Sequence, residues 1–159
     1  RPAEVSDRAV PGHWEGDLIL GSTASGSAIG TLVERSTRFV MLLHLPDDHT
    51  AEAVQEAIVV KMTALPALLR KTLTWDQGKE MANHVQIAKA TDLDIYFCDP
   101  HSPWQRGTNE NTNGLLRQYW PKGASMASLS RHQVDQIAYK LNTRPRKRHG
   151  YLSPLQLVP

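Results

Sequence analysis

Three runs of β-forming residues follow one another within the first 45 positions, and no other feature constrains the fold of this chain as strongly. In the first, at 14–20, Trp14, Gly16, Leu18 and Leu20 alternate with Glu15, Asp17 and Ile19, the period-two signature of a strand. The second and third lie at 28–33 and 39–45. They are joined by a Ser- and Gly-rich stretch at 21–26 and by the polar link 34–38. Connections of that kind are turns, so an antiparallel meander is expected.

Helical periodicity takes over after Pro46. Thr50 can cap a helix that carries Val54, Ala57, Ile58, Met62 and Leu65 on one side and is closed by Pro66. A short strand at 71–75 ends at Asp76 and Gly78, and Asn83 opens a short helix with Gln86 in the reciprocal capping position. A buried strand at 95–98, a loop at 100–107 and a helix at 108–120 stopped by Pro121 come next. The last helix, 130–141, has a Ser130/Gln133 capping box, a Leu129/Val134 staple, and a stripe of Val134, Ile137, Ala138 and Leu141. The order implies an α/β domain with a five-stranded mixed sheet, three antiparallel strands and then parallel strands joined by helical crossovers, flanked by helices.

Residues 1–159 are expected to form one domain, with an extension at 1–12 and a basic segment at 142–159. A chain of 159 residues, 40% hydrophobic and 21% charged, does not have the composition of a disordered one. At this length folding buries roughly 70% of the unfolded surface, enough for a core without metal or disulfide staples.

The net charge of +2 conceals a division. Residues 1–100 hold nine basic and fourteen acidic side chains, whereas 101–159 hold nine basic and two acidic. Cys98 is the single cysteine, which excludes an intrachain disulfide and a multi-cysteine zinc site and suits a reducing cytoplasm. The most apolar stretch, 57–69, is interrupted by Lys61 and Pro66, well short of the ~20 residues that span a bilayer. No signal peptide is visible, and a start at Arg1 suggests a processed product or an excised domain.

Three carboxylates stand out by position. Asp17 sits inside an apolar strand, where a charge needs either an edge facing water or a function. Asp76 ends a strand, the place where ligand-binding groups gather in α/β sheets and also where turn-forming Asp occurs. Glu110 lies opposite the arc formed by Leu115, Leu116, Tyr119 and Trp120, with Arg117 returning to within ~20° of it and Asn113 one turn along on the same side. A solvated face whose acid is favoured by the helix dipole is the alternative there. Glu15, on the same side of its strand as Asp17, and Glu80 read as solvated carboxylates, and Trp75 and Trp104 read as packing residues.

The segments around these acids are HWEGDLIL at 13–20, TWDQGKE at 74–80 and SPWQRGTNENTNGLLRQYWPKG at 102–123, with 33 residues between Asp76 and Glu110. In order and content they resemble the catalytic domain of bacterial insertion-sequence transposases of the IS-thirty family, within the DDE transposase and retroviral-integrase superfamily. The stretch LNTRPRKRHGYLSPLQL at 141–157 also resembles the end of such domains, with His149 where an aliphatic residue usually stands. The resemblance implies a ribonuclease H-like fold with Asp17, Asp76 and Glu110 as catalytic metal ligands. It also implies self-association and a helix-turn-helix recognition region upstream in a full-length protein.

Such chemistry needs hard oxygen ligands. Mg²⁺, with Mn²⁺ as an alternative, is held by a few carboxylates plus substrate phosphate, and two ions about 3.5 to 4 Å apart activate a nucleophile and stabilise a leaving oxygen. In this scheme Asp17 bridges both ions, while Asp76 and Glu110 each hold one. Arg117, Asn113, Lys122 and the run Arg144, Arg146, Lys147 and Arg148 are candidate DNA contacts. The reading is a transposase core acting on transposon ends and target DNA, homo-oligomeric, bacterial and cytoplasmic, working at the nucleoid, without membrane or small-molecule cofactor. The alternatives are a ribonuclease H-like nuclease that cuts without joining and a non-catalytic DNA-binding module. A tyrosine recombinase is disfavoured because Tyr119 has no His-x-x-Arg companion.

Overall fold

The alternation of the first strand carries through into three dimensions. A computed structural model describes residues 10–76, 78–98 and 107–158. Most of the 1–12 extension, most of the 100–107 loop, Trp104 and Arg106 lie outside the described residues. Strands β1 (His13–Leu20), β2 (Ala28–Glu34) and β3 (Val40–Leu45) form the antiparallel meander. Strands β4 (Thr72–Trp75) and β5 (Asp94–Phe97) add to it in parallel, giving one five-stranded mixed sheet in the order β3-β2-β1-β4-β5.

Helices α1 (Ala51–Thr63) and α2 (His84–Thr91) cover one face, where Trp14, Leu32, Leu43, Leu73 and Trp75 meet Val54, Ile58, Met62 and Ile87. Helices α3 (Gly107–Leu116) and α4 (Arg131–Thr143) cover the other. There Ile19, Ile29, Val33, Val40 and Leu42 pack with Leu116, Trp120, Met126, Val134 and Leu141. Both faces of the central strands are therefore buried, as a sheet with helical crossovers requires. A four-residue helix, α5 (Pro154–Leu157), packs on α4 and starts at a second capping box, Ser153 with Gln156.

Local signals account for most boundaries. The Thr50 hydroxyl accepts from Ala53 N at 3.2 Å, and Ser130 and Gln133 exchange both capping bonds. The Asn83 capping box does not form, because the Asn83 amide donates instead to Gln55 Oε1 on α1 at 2.9 Å. Helix α3 stops at Leu116 rather than running to Trp120: Gln118 N and Tyr119 N bond three residues back, which tightens the chain into turns before Pro121. Strand β5 is half-buried rather than buried, since it is the outermost strand of the sheet.

Candidate active site

Gly16 pairs with Trp75 across the parallel β1/β4 ladder, so Asp17 and Asp76 are the next residues along adjacent strands. Parallel pairing keeps paired side chains on one face. His13 Nδ1 and Thr72 Oγ1 meet at 2.8 Å, and the alternation His13, Glu15, Asp17, Ile19 beside Thr72 and Thr74 points toward α3 and α4. A Cβ on Gly16 would run into the Trp75 ring, so the two strands approach closely just ahead of the two carboxylates. Asp17 is half-buried and Asp76 exposed.

Helix α3 lies along β1 in the same direction. Asn109 Nδ2 approaches Glu15 O at 3.5 Å, Asn113 Nδ2 donates to Asp17 Oδ2 at 3.2 Å, and Arg117 Nη2 donates to Leu20 O at 3.2 Å. Glu110 is exposed on the same helix. At ~100° per residue it stands ~60° around the axis from Asn113, and Arg117 follows in the turn just after the helix.

Asp17 is held by its own backbone as well, because Leu18 N donates to Oδ1 at 2.8 Å. The Arg117 guanidinium also donates to Trp120 O at 3.3 Å, and partial burial lowers its pKa. It closes the turn after α3 onto the end of β1. Glu15 is fully buried, not solvated, with Arg35 Nε 3.9 Å from its carboxylate. Glu80 accepts from the Trp75 indole at 3.3 Å, and Trp75 itself is a core residue.

The predicted cations separate into two groups. Arg117 and the exposed Lys122 lie at the end of β1 that follows Asp17, where Ser22 N bonds Ala124 O at 3.0 Å. The basic run sits elsewhere. Arg144 and Lys147 are exposed and Arg146 half-buried, Arg148 lies on the 3₁₀ turn Lys147–His149, and His149 Nε2 meets Thr37 O at 3.0 Å. Thr37 belongs to the β2–β3 turn, which adjoins the start of β1 through Arg35 N and His13 O at 2.8 Å.

Asp17 and Asp76 are hard oxygen donors of the kind divalent cations prefer. Among the described residues no three His, Cys, Asp or Glu side chains converge closely enough to hold a metal ion. The structure thus does not bring Asp17, Asp76 and Glu110 together as a closed cage. Two participants were missed in the sequence, Thr31 and Asn109, both fully buried and both bonded into the Asn113 contact. The signals available were a hydroxyl in the apolar strand β2 and an amide one helical turn before Asn113.

A five-stranded mixed sheet with helices on both faces and acidic residues on adjacent central strands defines a ribonuclease H-like domain. Residues 7–103 match the integrase core domain family, and the chain belongs to that family. It is 55% identical over 158 residues to a transposase for insertion sequence element IS1086 of Cupriavidus metallidurans, covering 99% of this chain and 46% of the relative. It is 45% identical over 158 residues to transposase InsI for insertion sequence element IS30C of Escherichia coli, covering 99% and 40%. The chain thus spans less than half the length of these relatives. The catalytic core domain of BIV integrase shares the fold at a TM-score of 0.63 and 18% identity, with 91% of each chain covered. Members of the family act on DNA as polynucleotidyl transferases and use divalent metal ions. Among the described residues no helix is long and apolar enough to cross a membrane.

Proposed function

We propose that this chain is the catalytic core of an insertion-sequence transposase that cuts DNA strands at transposon ends and joins them to target DNA. The observation that supports the reading is the Gly16/Trp75 pairing, which makes Asp17 and Asp76 the next residues along neighbouring parallel segments, with α3 fastened over Asp17 through Asn113. Asp17, Asp76 and Glu110 are the residues that would hold the divalent ions, Mg²⁺ or Mn²⁺. When bound, such ions supply activation of the attacking oxygen and charge stabilisation at the leaving oxygen.

The chain's own residues provide placement. Asp17 is oriented by Leu18 N and Asn113, Asp76 follows the strand paired with β1, and Glu110 is exposed on α3, three residues before Asn113. In the first step a water oxygen bonds to phosphorus, the bond to the 3′ oxygen breaks, and a free 3′-hydroxyl results. In the second step that hydroxyl attacks a target phosphate and displaces its 3′ oxygen, so neither step forms a covalent bond to protein. Arg117, Lys122, Arg144, Arg146, Lys147 and Arg148 supply positive charge for the phosphates, and copies of the protein assemble on the two transposon ends.

The test is a strand-cleavage and strand-transfer assay with the full-length transposase and transposon-end DNA in Mg²⁺. Glu110→Gln and Asp17→Asn are expected to lower both steps by at least a hundredfold while DNA binding persists. Joining that proceeds unchanged in either variant would refute the triad, and cutting without joining by the unaltered protein would favour the nuclease reading.

A further inference from the structure

Asn113 stands at the end of a chain of side-chain hydrogen bonds that crosses from β2 to the Asp17 carboxylate. Asn109 Nδ2 donates to Thr31 Oγ1 at 2.7 Å, Thr31 Oγ1 donates to Asn113 Oδ1 at 3.1 Å, and Asn113 Nδ2 donates to Asp17 Oδ2 at 3.2 Å. Thr31 is the cross-strand partner of Asp17 in the β1/β2 ladder, and it and Asn109 are fully buried. The relay is thus anchored in the core and emerges at the site.

Its direction is determined by chemistry. A hydroxyl has one proton and accepts at its lone pairs, whereas an ionised carboxylate only accepts. Because Asp17 only accepts, the Asn113 NH₂ faces it and the Asn113 carbonyl faces Thr31, whose single proton has that carbonyl at 3.1 Å and the Asp17 backbone carbonyl at 3.3 Å as its acceptors. Leu18 N holds the other Asp17 oxygen at 2.8 Å, so each carboxylate oxygen has a fixed donor and the carboxylate plane is defined. A side chain committed in this way is poorly placed to track a phosphate backbone.

We propose that Asn113 is a positioning residue: it sets the orientation of the Asp17 carboxylate toward a divalent cation, and it is not a DNA contact. This inference rests on the assignment of Asp17 as a metal ligand. Partners that orient a ligand from behind typically change metal affinity or activity by ~10–100-fold when removed. Asn113→Ala removes the terminal bond, and Thr31→Val keeps the shape of the strand residue and removes the relay.

Two measurements test the proposal. In the full-length transposase, the Mg²⁺ concentration for half-maximal strand transfer is determined beside the affinity for transposon-end DNA measured without metal. Mn²⁺ binding to this chain is then followed by electron paramagnetic resonance, which requires no turnover. Asn113→Ala is expected to raise the Mg²⁺ requirement and weaken Mn²⁺ binding about tenfold or more, with DNA affinity unchanged. Thr31→Val should shift both readouts in the same direction.

Circular dichroism checks that each variant folds. If Asn113→Ala folds poorly, the Thr31→Val result decides. Unchanged Mn²⁺ binding together with weakened DNA affinity would overturn the proposal and make Asn113 a DNA contact. An Asp17→Asn protein that retains full Mn²⁺ binding would instead refute the underlying ligand assignment, a distinct outcome.

Discussion

The position on which the carboxylate pair most depends carries no functional group. Gly16 precedes Asp17, its parallel partner Trp75 precedes Asp76, and the Trp75 ring occupies the space where a Cβ on Gly16 would lie. Trp75 is fully buried between the sheet and α1 and α2, so it cannot step aside into solvent. Gly16→Ala is therefore an overpacking change, expected to cost about 1–3 kcal/mol. For a domain of this size that lowers the melting temperature by roughly 2–4 °C per kcal/mol, measurable by calorimetry. Trimming the ring should relieve the clash, so Gly16→Ala with Trp75→Phe is expected to be more stable than the sum of the two single variants by ~0.5–3 kcal/mol. Strict additivity would contradict the clash. The same displacement moves the two proposed metal ligands, so strand transfer by Gly16→Ala should fall more than its stability alone explains.

Among the elements, the edge strand β3 and the start of α1 show how side chains complete what backbone pairing leaves open. Asn142, near the end of α4, takes both polar groups of Val40: Val40 N donates to Oδ1 and Nδ2 donates to Val40 O, each at 2.8 Å. This amide stands in for a residue of a sixth strand and is itself buried. Asn142→Ala strips two backbone groups of their partners at ~1–3 kcal/mol each, and the melting temperature is expected to fall by roughly 4–24 °C. At the other face, Asp48 accepts from Thr50 N and Thr50 Oγ1, and these bonds lower its pKa. A lowered carboxyl supports the folded form when ionised, so its contribution is present above the ordinary aspartate value of 3.8 and is lost as pH falls through the folded one. Amide exchange at the first turn of α1 should quicken on acidification, and Asp48→Asn should abolish that dependence. Elements with local signals were legible in the sequence: Thr50 and Ser130 cap where the pattern puts them, and β1 and β2 extend the expected spans by one residue each. What was not legible depends on distant partners. Asn83 satisfies Gln55 rather than its own helix, Glu15 is buried because Arg35 approaches it, and periodicity placed Asn113 on the polar face of α3 without showing that Asp17 and Thr31 wait there.

For the whole molecule, the division of charge along the sequence is not a division in space. The basic part, beyond residue 100, wraps the acidic part: α4 packs on β3, Lys61 of α1 meets Asp135 of α4 at 3.5 Å, and the turn at His149 rests on Thr37. Its cations consequently reach both ends of the sheet. Arg117 and Lys122 lie at the end of β1 beyond Asp17, whereas Arg144 and Lys147 lie past its beginning. His13 and Asp17 are four strand positions apart, ~13 Å at 3.3 Å per residue, which corresponds to about four base pairs of duplex at 3.4 Å each. Under the proposed function, DNA gripped by the terminal basic turn would lie several base pairs from a phosphate at the carboxylates, or be a separate duplex. The expected consequence is a separation of effects. Arg144→Glu with Lys147→Glu in the full-length transposase should weaken DNA binding and reduce the slope of log affinity against log salt by ~0.9 for each phosphate that is no longer neutralised. The phosphate that is cut, and the rate of cutting once DNA saturates the protein, should stay the same. Lys122→Glu, next to the site, should lower that saturated rate as well. Fluorescence anisotropy across a salt series, paired with single-turnover cleavage, distinguishes the two groups, and an unchanged salt slope for the Arg144/Lys147 variant would show that the basic turn does not hold DNA.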